Sequence, residues 1–207
     1  MNKIVAIDGP TASGKGTLAK KIASHFSLPY LNTGGLYRSV ALYLYKNNLV
    51  DFTDENEVIN ILDKVDFSDL ENEELYTENI GFIASKVAPI QEVRRFLFDF
   101  QRNFALQPSG AVLDGRDIGT VICPEARFKF YVTASVEERA RRRFKEMQSK
   151  GKDTTYETIL QQLVDRDKQD SQRKNSPLKM AEDAIEIDTT NLNKDEAFGE
   201  VLKYIDL

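Results

Sequence analysis

The opening of this chain constrains its fold more than any other stretch. Ile4-Val5-Ala6-Ile7 is short, apolar and β-branched, and Asp8-Gly9-Pro10 ends it. Such a run reads as a parallel strand buried on both faces. From Thr17 to Phe26, Leu18, Ile22 and Phe26 recur at helical spacing. The loop between them, Gly9-Pro10-Thr11-Ala12-Ser13-Gly14-Lys15-Gly16-Thr17, fits G-x-x-x-x-G-K in the strand-to-helix setting that a phosphate-binding loop requires. Its glycines let backbone N–H groups converge on an anion, and the helix N-terminus adds partial positive charge. Lys15 is placed to reach the outer phosphates of a nucleoside triphosphate. The alternative is a plain Gly-rich turn, which the context on both sides disfavours.

Further short strands are expected at Leu28–Leu31, Ala111–Leu113, Phe128–Val132 and Ala184–Ile187. Helical patterns alternate with them. Leu36, Val40 and Leu44 share one face of a helix opened by Gly34-Gly35. Ile83 to Leu106 is helical, with Pro89 as a break and Val93, Leu97, Phe100 and Phe104 as its apolar stripe. A basic helix runs from Val136 to Gln148, a long one from Thr155 to about Arg173, and a last one starts near Lys194. This alternation predicts an α/β fold: a five-stranded parallel sheet with helices on both faces, in one domain over residues 1–207. Ligands in such sheets sit beyond the carboxyl ends of the strands, where the polar motifs of this chain fall.

One histidine, His25, excludes a multi-histidine metal site and disfavours Ser-His chemistry. One cysteine, Cys123, excludes an internal disulfide and fits a reducing cytoplasm. No apolar run approaches a membrane span, and Met1-Asn2-Lys3 lacks signal-peptide architecture. Of 33 acids and 28 bases, eleven acids and one base lie between Asp51 and Glu78, which leaves the rest with an excess of five bases. A mildly basic body suits a small anionic ligand better than a nucleic-acid surface.

Three further motifs carry chemistry. Asn32-Thr33-Gly34-Gly35-Leu36-Tyr37-Arg38 places a hydroxyl and an arginine at a strand end, for a polar pocket or merely a helix cap. In Asp114-Gly115-Arg116-Asp117 the guanidinium can clamp phosphate, and Asp117 can accept from an amino group; a salt-bridged turn is the alternative. On the long helix the stripe Tyr156, Ile159, Leu160, Leu163, Val164 continues into Arg166, Asp170 and Arg173, so that the inward face turns charged. That describes a polar pocket or a helix end emerging into solvent. Arg139, Arg142 and Arg143 lie on a basic helix that could act as a lid over about 139–153 or be a solvated face.

Glycine in place of the usual hydroxyl residue after Lys15 gives G-K-G-T, which resembles the nucleoside monophosphate kinases. Together the motifs resemble the bacterial-type cytidylate kinases of that group, collinearly from Ile4 to about Thr190. Asp114-Gly115-Arg116-Asp117-Ile118-Gly119-Thr120-Val121 matches D-G-R-D-x-G-T-V. Ser85-Lys86-Val87-Ala88 with Arg94 resembles S-x-V-A…V-R. Arg166-Asp167, Asp170, Arg173 and Pro177-Leu178 follow R-D-x-x-D…R…P-L, and Asp188-Thr189-Thr190 resembles D-[ST]-[ST].

The resemblance implies transfer of the γ-phosphate of ATP to CMP or dCMP, with Mg²⁺ held mainly by ATP phosphates and water. Gly9 to Thr17 would hold ATP. Thr33, Arg38, Arg116 and Arg173 would surround the acceptor phosphate, with Lys15, Arg116 and Arg173 catalytic. Ser85, Arg94 and Asp117 would read cytosine, and Arg166 and Asp170 the sugar. It implies an acceptor-binding insertion over about 51–84, a cytoplasmic monomer, and no nucleic-acid or membrane partner. Few large apolar residues between about Val65 and Gly81 suggest that this part of the insertion packs lightly. Asn32 departs from the family's acid, Gln169 from an arginine, and Leu75-Tyr76-Thr77 from I-R-T in a shortened segment. The rivals are a kinase for another small acceptor, such as UMP or shikimate, a guanine-binding switch, and an inactive nucleotide-binding scaffold. Asn193-Lys194-Asp195 lacks the N-K-x-D spacing of the switch, because Glu196 occupies the fourth position.

Overall fold

The first strand, β1 (Ile4–Asp8), is buried along its whole length, as an apolar run without alternation requires. It pairs in parallel with β3 (Ala111–Gly115), Asp8 opposite Gly115, and with β4 (Phe128–Thr133), Asp8 opposite Tyr131. β4 pairs in parallel with β5 (Ile185–Asp188), Thr133 opposite Asp188, and β2 (Tyr30–Asn32) completes the order β2-β3-β1-β4-β5. The register brings Asp8, Gly115, Thr133 and Asp188 to one edge. The computed structural model describes residues 3–49 and 55–207. Met1-Asn2 and the expected start of the insertion, with Asp51 and Asp54, lie outside the described residues.

The chain forms two compact units, one built from the residues up to Leu31 with Ala105–Leu207, the other from Asn32–Phe104. In the first, α1 (Lys15–His25) and α8 (Lys194–Leu202) cover the sheet, and Leu18, Ile22 and Val201 pack with Val5, Ile7, Val112, Phe130 and Val132. α6 (Val136–Ser149) and α7 (Tyr156–Gln172) pair through Ala140, Ile159 and Leu163. Side chains cap all three later helices of this unit: Ser135 for α6, Thr155 for α7, and Asn193 in a capping box with Glu196 for α8. Asn193 therefore has a structural use that the guanine-reading motif does not explain.

In the second unit, α2 (Thr33–Lys46) buries Leu36, Val40 and Leu44 as its spacing predicts. A short α3 (Glu55–Ile59) and two 3₁₀ turns (Leu62–Lys64, Glu73–Tyr76) lead to α4 (Glu78–Val87), which packs Ile80, Ile83 and Ala84 on Ala41. The helical stretch expected from Ile83 is two helices, α4 and α5 (Gln91–Ala105), and Pro89 marks the break as expected. The apolar stripe of α5 is corrected in part. Val93 and Leu97 are buried, but Phe100 is 38% exposed because it and Phe96 turn to Phe67, with ring centroids 5.7 and 6.3 Å away. Gln101 is buried in its place and donates to the Leu97 carbonyl. The segment from Val65 to Gly81 packs more firmly than its few large apolar residues suggest, because Val65, Leu75 and Ile80 are all buried.

Candidate active site

The phosphate-binding loop leaves β1 through Gly9, whose φ is +151°. A Cβ there would lie 2.0 Å from the Val132 carbonyl oxygen, so no other residue fits. Ala12 (φ 63°) and Gly14 (φ 87°) then curl the backbone into α1. The absent hydroxyl residue after Lys15 also has a steric reason. A Cβ at Gly16 would sit 3.0 Å from an Asp114 carboxylate oxygen at the end of β3. Lys15 Nζ donates to the Pro10 carbonyl at 3.3 Å. Burial, and then the neighbouring Arg116, bring its pKa down to about 7, against the pull of Asp114, Asp170 and Asp8. Burial likewise raises Asp114 above the ordinary carboxylate range, despite Lys15 and Arg116.

Arg116 leaves the end of β3 and touches both sides of this edge. Its Nη2 donates to Thr11 Oγ1 at 2.6 Å, and its Nε donates to Asp170 on α7 at 2.9 Å. Arg166, one helical turn before Asp170, donates to the same carboxylate at 3.3 Å. Burial opposes the charge on Asp170, but Arg116 and then Arg166 hold its carboxyl below the ordinary range. Arg173 donates to the Ser176 carbonyl at 2.7 Å and lies 3.9 Å from Asp117, with both side chains less than a tenth exposed. The charged face of the long helix is thus largely buried and ion-paired, and not a helix end in solvent.

Beside the loop lies a cleft of about 820 Å³, bounded by Ala12, Ser13, Thr17 and Leu18, by Arg142, Arg143 and Glu146 of α6, and by Thr189, Leu192 and Ala197. The buried Thr189 hydroxyl donates to the Ser13 carbonyl at 2.9 Å and accepts from Arg142 at 2.9 Å. Of the three arginines read as a lid, only Arg142 and Arg143 line this cleft. Arg139 is buried, bonds both oxygens of Asp167 and donates to the Thr11 carbonyl at 3.1 Å. It braces the loop against α7. Asp8, Asp114, Asp167 and Thr189 lie against the loop and its basic residues, and spacing alone gives them no role.

The second unit holds four of the expected site residues. Thr33 opens α2 and is buried. Arg38 donates to the Leu75 carbonyl at 2.7 Å and lies against the Tyr76 ring. Ser85 is buried and back-bonds to the Phe82 carbonyl at 2.7 Å. Arg94 is 9% exposed, donates to the Ala88 carbonyl at 3.2 Å and faces the Tyr37 ring. Two of the departures from the family pattern touch each other: Asn32 Nδ2 donates to Tyr76 Oη at 3.2 Å, and Tyr76 donates on to the Leu70 carbonyl at 2.7 Å.

A sequence model described as Cytidylate kinase matches residues 5–207. The chain belongs to the cytidylate kinase family. A cytidylate kinase of Bartonella tribocorum is 46% identical over 98% of this chain and 94% of its own length. One from Xanthobacter autotrophicus is 48% identical over 98% and 97%. The crystal structure of an uncharacterized protein from Eubacterium ventriosum covers 100% of this chain and 99% of its own, with a TM-score of 0.56 and 18% identity, and supports the fold alone. Among the described residues, no helix is long and apolar enough to cross a membrane.

Proposed function

We propose that this chain transfers the γ-phosphate of ATP to CMP or dCMP, giving ADP and CDP or dCDP. Beyond family membership, one observation carries the reading. The Asp114–Asp117 strand end sets Arg116 on Thr11 of the phosphate loop and leaves Asp117 beside Arg173 in a buried polar wall. Phosphoryl transfer asks the protein for positioning and charge neutralisation, and little covalent work. An acceptor phosphate oxygen already carries charge, so no general base is needed. Gly9–Thr17 hold the ATP phosphates, and Arg142 and Arg143 cover the donor from α6, within a lid spanning about 139–153. Lys15, Arg116 and Arg173 neutralise charge that builds in the transition state.

Thr33 and Arg38 hold the acceptor phosphate, and Arg166 and Asp170 the sugar. Asp117 accepts from the cytosine amino group, and Arg94 and Ser85 donate to its ring acceptors. Residues about 51–84 form the acceptor insertion. Asp114 is a buried carboxylate against the loop, an oxygen donor of the kind Mg²⁺ takes. Asp114 and the Thr17 hydroxyl would hold the ion with water and ATP, and the ion supplies charge neutralisation when bound. The protein acts as a monomer in the cytoplasm, on small nucleotides alone. Incubation with γ-labelled ATP and CMP tests the proposal: label in CDP is expected, and label released only as inorganic phosphate overturns it.

A further inference from the structure

We propose that Asp8 is a positioning residue for acceptor recognition: from the end of β1 it caps the turn that follows β3 and so fixes Arg116 and Asp117. The inference rests on the reading above that those two residues hold the acceptor.

After β3 the chain makes a single π-helical turn, Ile118–Ile122, closed by Ile122 N–H to Asp117 O at 3.1 Å and Cys123 N–H to Ile118 O at 2.7 Å. A helical turn leaves its leading N–H groups without partners in the turn itself. An aspartate in the position of Asp117 ordinarily supplies that partner with its own carboxylate. Here the Asp117 side chain makes no capping bond. Asp8 does so instead, across the sheet: Oδ1 accepts from Ile118 N–H at 2.9 Å and Oδ2 from Gly119 N–H at 2.8 Å. Both oxygens of a carboxylate only 5% exposed are thus committed to one turn.

The consequence is a division of labour between two aspartates. Because Asp8 caps from outside, the Asp117 carboxylate is left to face the buried Arg173, 3.9 Å away. The Asp117 carbonyl is held by the amides of Val121 and Ile122, and the next two amides by Asp8, so the backbone that carries Arg116 and Asp117 is pinned downstream of both. The strand register gives a second anchor, with Asp8 opposite Gly115. The charged and titratable groups that face Asp8 are Arg116 and Asp117 on the β3 side, Lys15 on α1 and the neutral phenol of Tyr131 on β4. Burial, opposed by the two amide bonds and reinforced by Asp117, brings its pKa up to about 7.

Asp8→Asn tests the idea, because the amide keeps the shape and one acceptor but turns a donor toward one of the two N–H groups. Expected is a loss of about 10- to 100-fold in kcat/KM for CMP, the size of one charge-assisted hydrogen bond. The preference for CMP over UMP should narrow by about tenfold or more, with KM for ATP within about threefold of wild type. A merely structural role would lower thermal stability and leave the CMP to UMP ratio unchanged, and that result overturns the proposal. Should the variant not fold, a pH titration of the wild-type ¹H–¹⁵N spectrum from pH 4 to 9 decides. The Ile118 and Gly119 amide resonances should shift together along one carboxyl titration, and their standing still overturns the cap. Failure of the wild type to phosphorylate CMP would strike the functional reading alone, since the amide titration still reports on Asp8.

Discussion

Asp170 is the hub of the charged wall, and Asp170→Asn probes it with little change of shape. Its carboxylate receives Arg116 at 2.9 Å and Arg166 at 3.3 Å, and its side chain is 6% exposed, against 19% for Arg116 and 28% for Arg166. Breaking a buried pair from one side costs about 3–5 kcal/mol. The amide oxygen can still accept one guanidinium, and both arginines keep some water, so about 2–3 kcal/mol is expected here. For a chain of this size that lowers Tm by about 4–12 °C. ATP or CMP should narrow the gap, because their phosphates supply the charge that the variant lacks. The pH dependence has a definite sign. Arg116 and Arg166 outweigh burial and hold the Asp170 carboxyl below the ordinary range, so its stabilisation is complete at neutral pH and lost only as pH falls below that range. The wild-type advantage should therefore close in acid. Asp165→Asn on the same helix is a control, since Asp165 is exposed and accepts from Gln161, and it should stay within about 0.5 kcal/mol of wild type. A Tm for Asp170→Asn within about 1 °C of wild type would refute the hub.

Lys15→Ala should lower kcat by two or more orders of magnitude while circular dichroism stays native, and near-normal turnover would remove its role. With its pKa brought down to about 7 in the free protein and restored when phosphates bind, Lys15 takes up a proton with ATP, so the Kd for ATP should rise as pH climbs above 7. Lys15→Arg, charged throughout, should show a flat profile by calorimetry over the same range. Gly9→Ala drives a methyl group to within 2.0 Å of the Val132 carbonyl and should yield protein that neither melts cooperatively nor binds ATP. Tyr76→Phe removes the bonds to Asn32 and Leu70 and should cost about 1–2 kcal/mol in denaturant unfolding, with the KM for CMP raised more than that for ATP.

The fold class was legible because its signals are local: a buried apolar strand, a Gly-rich turn, and helices with regular stripes. Boundaries failed where backbone closure overrode apolar character. Leu28 reads as the start of β2, yet its amide closes α1 on the Ala23 carbonyl after Ser27 turns left-handed (φ 51°), and the strand begins at Tyr30. The stripe of α5 failed because a period counts apolar residues and cannot foresee that Phe67 draws Phe96 and Phe100 aside. In the site, the arginines were legible from their place at strand and helix ends. Their long-range partners were not, since Thr11–Arg116 and Asp170–Arg116 depend on how the end of β3 lies against the loop and α7. Arg139 and Arg142 look alike in sequence and separate only when Asp167 takes one and Thr189 the other. Asp8 left one usable sign, an acid at the end of a strand buried on both faces.

The measurement that bears most directly on the account is kcat/KM for CMP and for UMP, side by side at saturating ATP. Uracil presents a carbonyl where cytosine presents an amino group, and it would meet the Asp117 carboxylate with repulsion. A buried polar site that loses its matched partner discriminates by about 10⁴-fold. A preference for CMP of that order is predicted, and equal values for CMP and UMP would contradict the assignment of Asp117 and the account built on it.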